Sequence, residues 1–181
     1  MKKMLAAASV LLLAGCGIPL DDAPREPDNP RPYRSGTATA PGVGSALERL
    51  CLVKDDKIAR TLRRVATART PAEQLLDLFG GPNAGEQADG YTSALAGTGI
   101  TPRLSLEGAA ATVEIGDWAE HGNRSDEVLA FGQIVCTLTT RPEIGTVRFT
   151  SGGEPLSVPR ADLSLSDGPL TIVDYDDLIA S

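Results

Sequence analysis

The sequence predicts an α+β fold, a two-layer sandwich in which a mixed four- to six-stranded sheet is backed by two helices. Three observations predict it. Short strand-like runs and capped helical segments alternate in the order strand, strand, helix, strand, strand, helix, strand. Both helical segments carry apolar stripes of the kind that press on a sheet. The stretch from Ser45 to Ser181 is near 137 residues, the size of one ordinary domain that buries its own core.

The chain of 181 residues opens with Lys2 and Lys3, followed by the uncharged run MLAAASVLLLAG. At about 1.5 Å per residue such a run reaches only about 18 Å, against a hydrocarbon core of roughly 30 Å, so it reads as a signal peptide over residues 1–15 and not as a membrane span. Leu13, Ala14 and Gly15 before Cys16 resemble the lipobox of bacterial lipoprotein precursors. That resemblance implies that Cys16 becomes the first mature residue and is lipidated; the other reading is an ordinary secretory cut near Ala14-Gly15. Two or more acyl chains give a durable anchor, because each buried CH₂ contributes about 0.8 kcal/mol and one chain holds only marginally.

Residues 16–44 supply prolines, glycines and charges without periodicity at 3.6 or 2, the composition of a tether between anchor and domain. The net charge is −7, and −9 once Lys2 and Lys3 leave with the signal. Charge of that sign disfavours nucleic acid and anionic head groups, leaving neutral, basic or protein partners. With Cys16 spent on lipid, Cys51 and Cys136 remain as an even pair in an oxidising compartment. They form either a disulfide, which would contribute roughly 4 to 5 kcal/mol on the chain-entropy model, or two buried free thiols.

Within residues 45–181, RLCLV followed by KDD and KIARTLRRVA reads as two strands joined by a tight turn. TPAEQLLDLFGGP carries Thr70 as N-cap, Pro71 at the first helical position and Glu73 three residues after the cap, and GGP stops the helix. Leu75, Leu78 and Phe79 share one face. A Gly-, Ala- and Asn-rich loop follows. GITPRLSLEG and AAATVEIGD each read as a strand, with Gly108 between them as the turn residue of a hairpin. In SDEVLAFGQIVCTLTTRP, Ser125 is the expected cap, and Val128, Phe131, Val135 and Leu138 make one stripe. Leu129, Gly132 and Cys136 make a second, so this helix is enclosed on two sides. IGTVRFTSGGEPL is a strand running into a turn, and the tail around Tyr175 and Leu178 supplies one more short strand or helical turn.

PAEQLLDLFGGP, ATVEIGD, LAFGQIVCTLTTRPEIGTVRF and DYDDL together resemble the GerMN domain of spore-germination GerM proteins and LpqB-type envelope lipoproteins, over about Leu50 to Leu178. The resemblance implies an extracytoplasmic, membrane-anchored sporulation or envelope lipoprotein whose domain is a non-catalytic binding or assembly module. It departs from the usual pattern in the turn SGGEPL and in LTIVDYDDL, which lacks the arginine often found before the tyrosine.

The residues point to no enzyme and no cofactor. His121 is the sole histidine and stands in the polar stretch EHGNRSD, so a zinc set cannot be assembled from it. No nucleophile elbow, phosphate-binding Gly-Lys-Ser or dinucleotide fingerprint occurs. DYDDL lacks the glycine and distal glutamate of a calcium loop. Trp118 and His121, in the loop before the second helix, mark the one spot expected to expose recognition residues, and Gln133 in the enclosed helix must find hydrogen-bond partners. The expected partners are the membrane through the lipid anchor, and an envelope protein or cell-wall component; the oligomeric state is not written in the sequence. Two alternatives are a wall-acting hydrolase using Asp117 and Glu120 as acid and base, and a small-ligand sensor domain.

Overall fold

The computed structural model describes residues 46–116, 118 and 124–180, with Arg124 and Ser125 described in their backbone only. The order of elements is β1 (Ala46–Lys54), β2 (Lys57–Val65), α1 (Pro71–Phe79), α2 (Ala84–Ala88), β3 (Arg103–Glu107), β4 (Ala110–Glu114), α3 (Arg124–Thr139), β5 (Thr146–Ser151), β6 (Glu154–Pro155), β7 (Val158–Pro159) and β8 (Leu165–Ser166), ending in a 3-10 helix, Ile172–Leu178. The fold is α+β, as the sequence predicts. Among the described residues the largest sheet is mixed, with strand order β3-β4-β5-β6; β3 and β6 run antiparallel to their neighbours, while β4 and β5 are parallel. A parallel pair needs a crossover, and α3 provides it.

Two features differ from the expected plan. The strands β1 and β2 form a separate hairpin outside the main sheet, and β7 pairs with β8 in a third small sheet. The segment after α1 is also not wholly loop. Asn83 caps α2 by accepting from Glu86 N at 3.0 Å, and Glu86 returns the bond to Asn83 N at 2.8 Å.

The β1–β2 register closes with Lys54 opposite Lys57 and leaves Asp55 and Asp56 as a two-residue turn, both at positive φ (51° and 57°). That is the conformation whose twist suits a tight hairpin, and aspartate tolerates it better than most residues. The α1 capping box forms as expected, with Thr70 Oγ1 accepting from Glu73 N and Glu73 Oε2 accepting from Thr70 N. Helix α3 begins at Arg124, so Ser125 falls in its first turn and not at its cap.

The core is built around α3, which packs on β1, β2, α1, β5, β7 and the 3-10 helix. Its first stripe (Val128, Phe131, Val135 and Leu138) joins Leu75, Leu78, Val113 and Val147 in the main cluster. Phe131 sits between Trp118 and Phe149, with ring centroids 4.9 and 4.8 Å away. Its second stripe meets Ile58 and Tyr175 at Gly132. A Cβ there would stand 2.5 Å from Ile58 Cδ1 and 2.9 Å from Tyr175 Cδ1, so glycine is what lets these elements approach.

Candidate functional site

Helix α3 is bound to one residue of β1 in three ways. Cys51 is disulfide-bonded to Cys136, with Cα atoms 5.9 Å apart. Its backbone N–H donates to Thr137 Oγ1 at 3.0 Å, and its carbonyl accepts from Gln133 Nε2 at 3.0 Å. Gln133 Oε1 also accepts from Ala94 N at 2.9 Å. The buried glutamine therefore uses its amide to hold strand, helix and the Ser93–Ala94 loop together.

Where the start of β1 meets α1 lies a partly buried ionic cluster. Arg63 on β2 lies opposite Glu48 in the register and forks onto Glu86, with Nε–Oε1 3.0 Å and Nη2–Oε2 2.5 Å, while Nη2 also donates to Gly81 O. Burial pushes the Glu86 carboxyl up, but the bonds from Arg63 and Asn83 outweigh it and hold it below the usual carboxylate range. Arg69 pairs with Asp77 at 2.7 Å. Glu48 is only 4 % exposed, and neither of its oxygens has a partner in hydrogen-bond geometry. Burial, helped by the negative charge of Asp77 and opposed by Arg63 and Arg69, pushes its carboxyl up to about 7. A carboxyl so placed is a proton-binding group near neutrality.

Beside it lies a cavity of about 220 Å³ lined by residues of β1, α1 and the segment after α3, among them Glu48, Arg69, Gln74 and Arg141. Gln74, 2 % exposed, donates to Arg49 O and accepts from Arg141 Nη1 at 3.3 Å, tying the three elements around that space. A larger groove of about 470 Å³ runs along Thr92–Ala94 and Ala96–Thr98, with Val53, Asp56, Asp126 and Leu129 on its other side. Its polar walls and breadth suit a surface contact better than an enclosed small molecule.

The structure redistributes the residues that the sequence singles out. Trp118 is not an exposed recognition residue: it is 6 % exposed, packs on Phe131, and its indole N–H donates to Glu127 Oε1 at 3.0 Å. Its polar sequence neighbours conceal that Phe131, on α3, offers it an apolar wall. His121, with Asp117 and Glu120, lies outside the described residues, as does Cys16. Among the described residues no three His, Cys, Asp or Glu side chains gather as a metal set. Tyr175, fully buried, donates to Pro159 O at 2.9 Å, and burial pushes its phenol well above the usual range, so it serves as a neutral donor. In the SGGEPL turn, Glu114 accepts from Thr150 Oγ1 and Gly152 N, both at 2.6 Å, which pins the turn to β4 and draws that carboxyl down. The sequence reasoning passes over Glu48, although the alternation in LERLCL sets it on the inward face with Leu50 and Leu52.

The chain matches the family model described as Germane, sporulation and spore germination, over residues 48–157. Among solved structures it is similar to the first GerMN domain of the sporulation protein GerM from Bacillus subtilis, at 17 % identity and a TM-score of 0.54, covering 70 % of this chain and 94 % of that one. The tandem GerMN domains of the same protein match at 14 % identity and a TM-score of 0.54, covering 70 % of this chain; the chain spans only 45 % of that longer structure. No curated protein gives a significant match. At such identities the structural likeness speaks for fold alone. The family match extends over more than half of the sequence and takes in β2, α1, α3 and the β3-to-β6 sheet, and the chain belongs to the Germane family of GerMN-domain proteins.

Proposed function

We propose that this chain is an envelope lipoprotein, anchored through Cys16 on the outer face of the cytoplasmic membrane, whose GerMN domain binds another envelope protein or a wall component without performing chemistry. The observation that carries the reading is the family match, which groups the chain with domains of sporulation and spore germination. The anchor is supported by the run before Cys16 and the composition of residues 16–44. The binding role is supported by where the polar side chains go: Gln133, Thr137, Tyr175 and Glu114 are spent on joining elements, so the domain is organised as a stiff body presenting surfaces.

Crosslinking the full chain in the intact cells that make it, with the Cys16→Ser chain as control, tests both halves. The expected result is a defined envelope partner recovered with the anchored form, and a mass for the processed product that includes acyl chains at Cys16. Recovery of nothing above background from anchored, folded protein, or hydrolysis of purified wall by the soluble form, overturns the binding reading. An unmodified sulfur at position 16 overturns the anchor.

A further inference from the structure

We propose that the open end of the β1–β2 hairpin is a membrane-docking face that settles on anionic phospholipid head groups. The inference rests on the Cys16 anchor for its choice of occupant. Alternation along the paired strands sets Leu47 and Arg49 of β1 on one face with Arg60, Leu62 and Arg64 of β2, in the register Leu47 opposite Arg64 and Arg49 opposite Leu62. All five are exposed, Leu47 by 62 % and Leu62 by 59 %. Farther along the same face, toward the Asp55-Asp56 turn, Cys51 and Ile58 are covered in the cluster with Cys136. The bare part is thus confined to the end where the chain enters β1.

Its chemistry runs against that of the whole protein. The chain is at −7, yet this face carries three arginines and two leucines and no carboxylate among its own strand positions. Among the described residues, none of the three arginines takes part in an ion pair; the nearby Glu143 is already held by Arg141 at 2.6 Å. Charges farther away than about 8 Å are largely screened at physiological salt, so the local patch governs what approaches it. Arginines flanking exposed leucines match a head-group boundary, where the guanidinium meets phosphate and the apolar chain enters the acyl edge.

The length of chain outside the described domain selects this occupant. From Cys16 to Ala46 there are 29 intervening residues, which span roughly 30 Å as a coil and about 95 Å at full extension. A bilayer holding Cys16 would therefore be presented to the hairpin end at high effective concentration, which strengthens an attraction that the face also has for free anionic membrane. Each arginine contributes roughly fivefold to partition onto an anionic surface, so the three together supply about a hundredfold at low salt.

The test uses the chain from position 16 onward carrying Cys16→Ser, unacylated, with vesicles of phosphatidylcholine alone or containing roughly one third phosphatidylglycerol. Binding to the anionic vesicles alone is expected, falling steeply with salt. Arg49→Gln, Arg60→Gln and Arg64→Gln combined should lower it by one to two orders of magnitude, and Leu47→Ser with Leu62→Ser by about tenfold. Melting curves that match wild type keep the loss attributable to the face. No binding of the wild-type face to the anionic vesicles, or equal binding by the triple variant, overturns the proposal. So does binding of free polyphosphate or an acidic peptide through these arginines without binding to anionic vesicles. Vesicle binding reads the patch and the mass at Cys16 reads the anchor, so either can fail without the other.

Discussion

Replacing Glu48 by glutamine isolates a buried carboxyl that the structure raises into the neutral range. Its value moves from 4.5 to about 7 in the folded protein. A carboxyl whose folded value lies above its unfolded one binds its proton more tightly when folded, so its contribution is present at low pH and is lost as pH rises through the interval from 4.5 to about 7. Across that interval the loss amounts to at most about 3 kcal/mol, at about 1.4 kcal/mol per unit. Glu86 and Glu114 are held low, so their contributions are lost as pH falls from the ordinary carboxylate value through their folded values, at and below the acid end of this interval. Glutamine keeps the shape and carries no charge at any pH. Urea unfolding at fixed salt, followed through the buried and sole tryptophan, Trp118, between about pH 5 and about pH 8, should show wild type losing about 2 to 3 kcal/mol relative to Glu48→Gln. Parallel curves for the two would refute the reasoning, because they would mean that Glu48 stays ionised beside Arg63 and Arg69.

Gly132→Ala should destabilise by about 1 to 2 kcal/mol: overpacking against Ile58 and the anchored Tyr175 ring costs about 1 to 3 kcal/mol, and the helix recovers up to about 1. Pairing it with Ile58→Val, which removes the atom at 2.5 Å, should recover part of that loss in a double-mutant cycle. Thr137→Val leaves the Cys51 N–H buried without a partner and should cost about 1 to 3 kcal/mol in chemical denaturation. Cys51→Ala with Cys136→Ala should lower stability by about 2 to 5 kcal/mol, a loss that reducing agent reproduces in wild type. Asp56→Gly, at φ 57°, should raise the melting temperature by a few degrees, since glycine holds that conformation without strain.

What could be read in the sequence was local. The α1 capping box depends on residues three apart, and the two stripes of α3 on spacings of three and four, so both are visible in a string of letters. The Asp55-Asp56 turn is equally local. Helix α2 has its own capping box in Asn83 and Glu86, but five residues with Gly85 among them form no helix by propensity, and it is Arg63, some twenty positions upstream, that fixes Glu86. Trp118 misleads for a related reason: its polar surroundings in sequence are not its surroundings in space, where Phe131 covers it. The alternation of LERLCL does reveal that Glu48 faces inward. Its lack of a partner is a fact about α1 and β2, which no window on β1 contains.

The separation of the β1–β2 hairpin from the main sheet has the same root. A strand such as β1, with β2 on one side, must satisfy the backbone groups on its other edge or leave them buried and unpaired. Among the described residues no strand takes that place. Thr92 exchanges two backbone bonds with Val53, at 2.9 and 2.7 Å, and at Cys51 the side chains of Gln133 and Thr137 stand in for a neighbouring backbone. Polar residues in the middle of an enclosed helix are otherwise a liability. In α3 they occupy the positions that face β1 and convert the crossover helix into the missing partner, with the Cys51–Cys136 bond fastening the same point. Because helix side chains serve this edge, the hairpin need not merge with the sheet, and its outer end stays uncovered. The bare face of Leu47, Arg49, Arg60, Leu62 and Arg64 is thus a consequence of how β1 is satisfied from α3, and the hairpin is held firmly enough there to carry a docking surface.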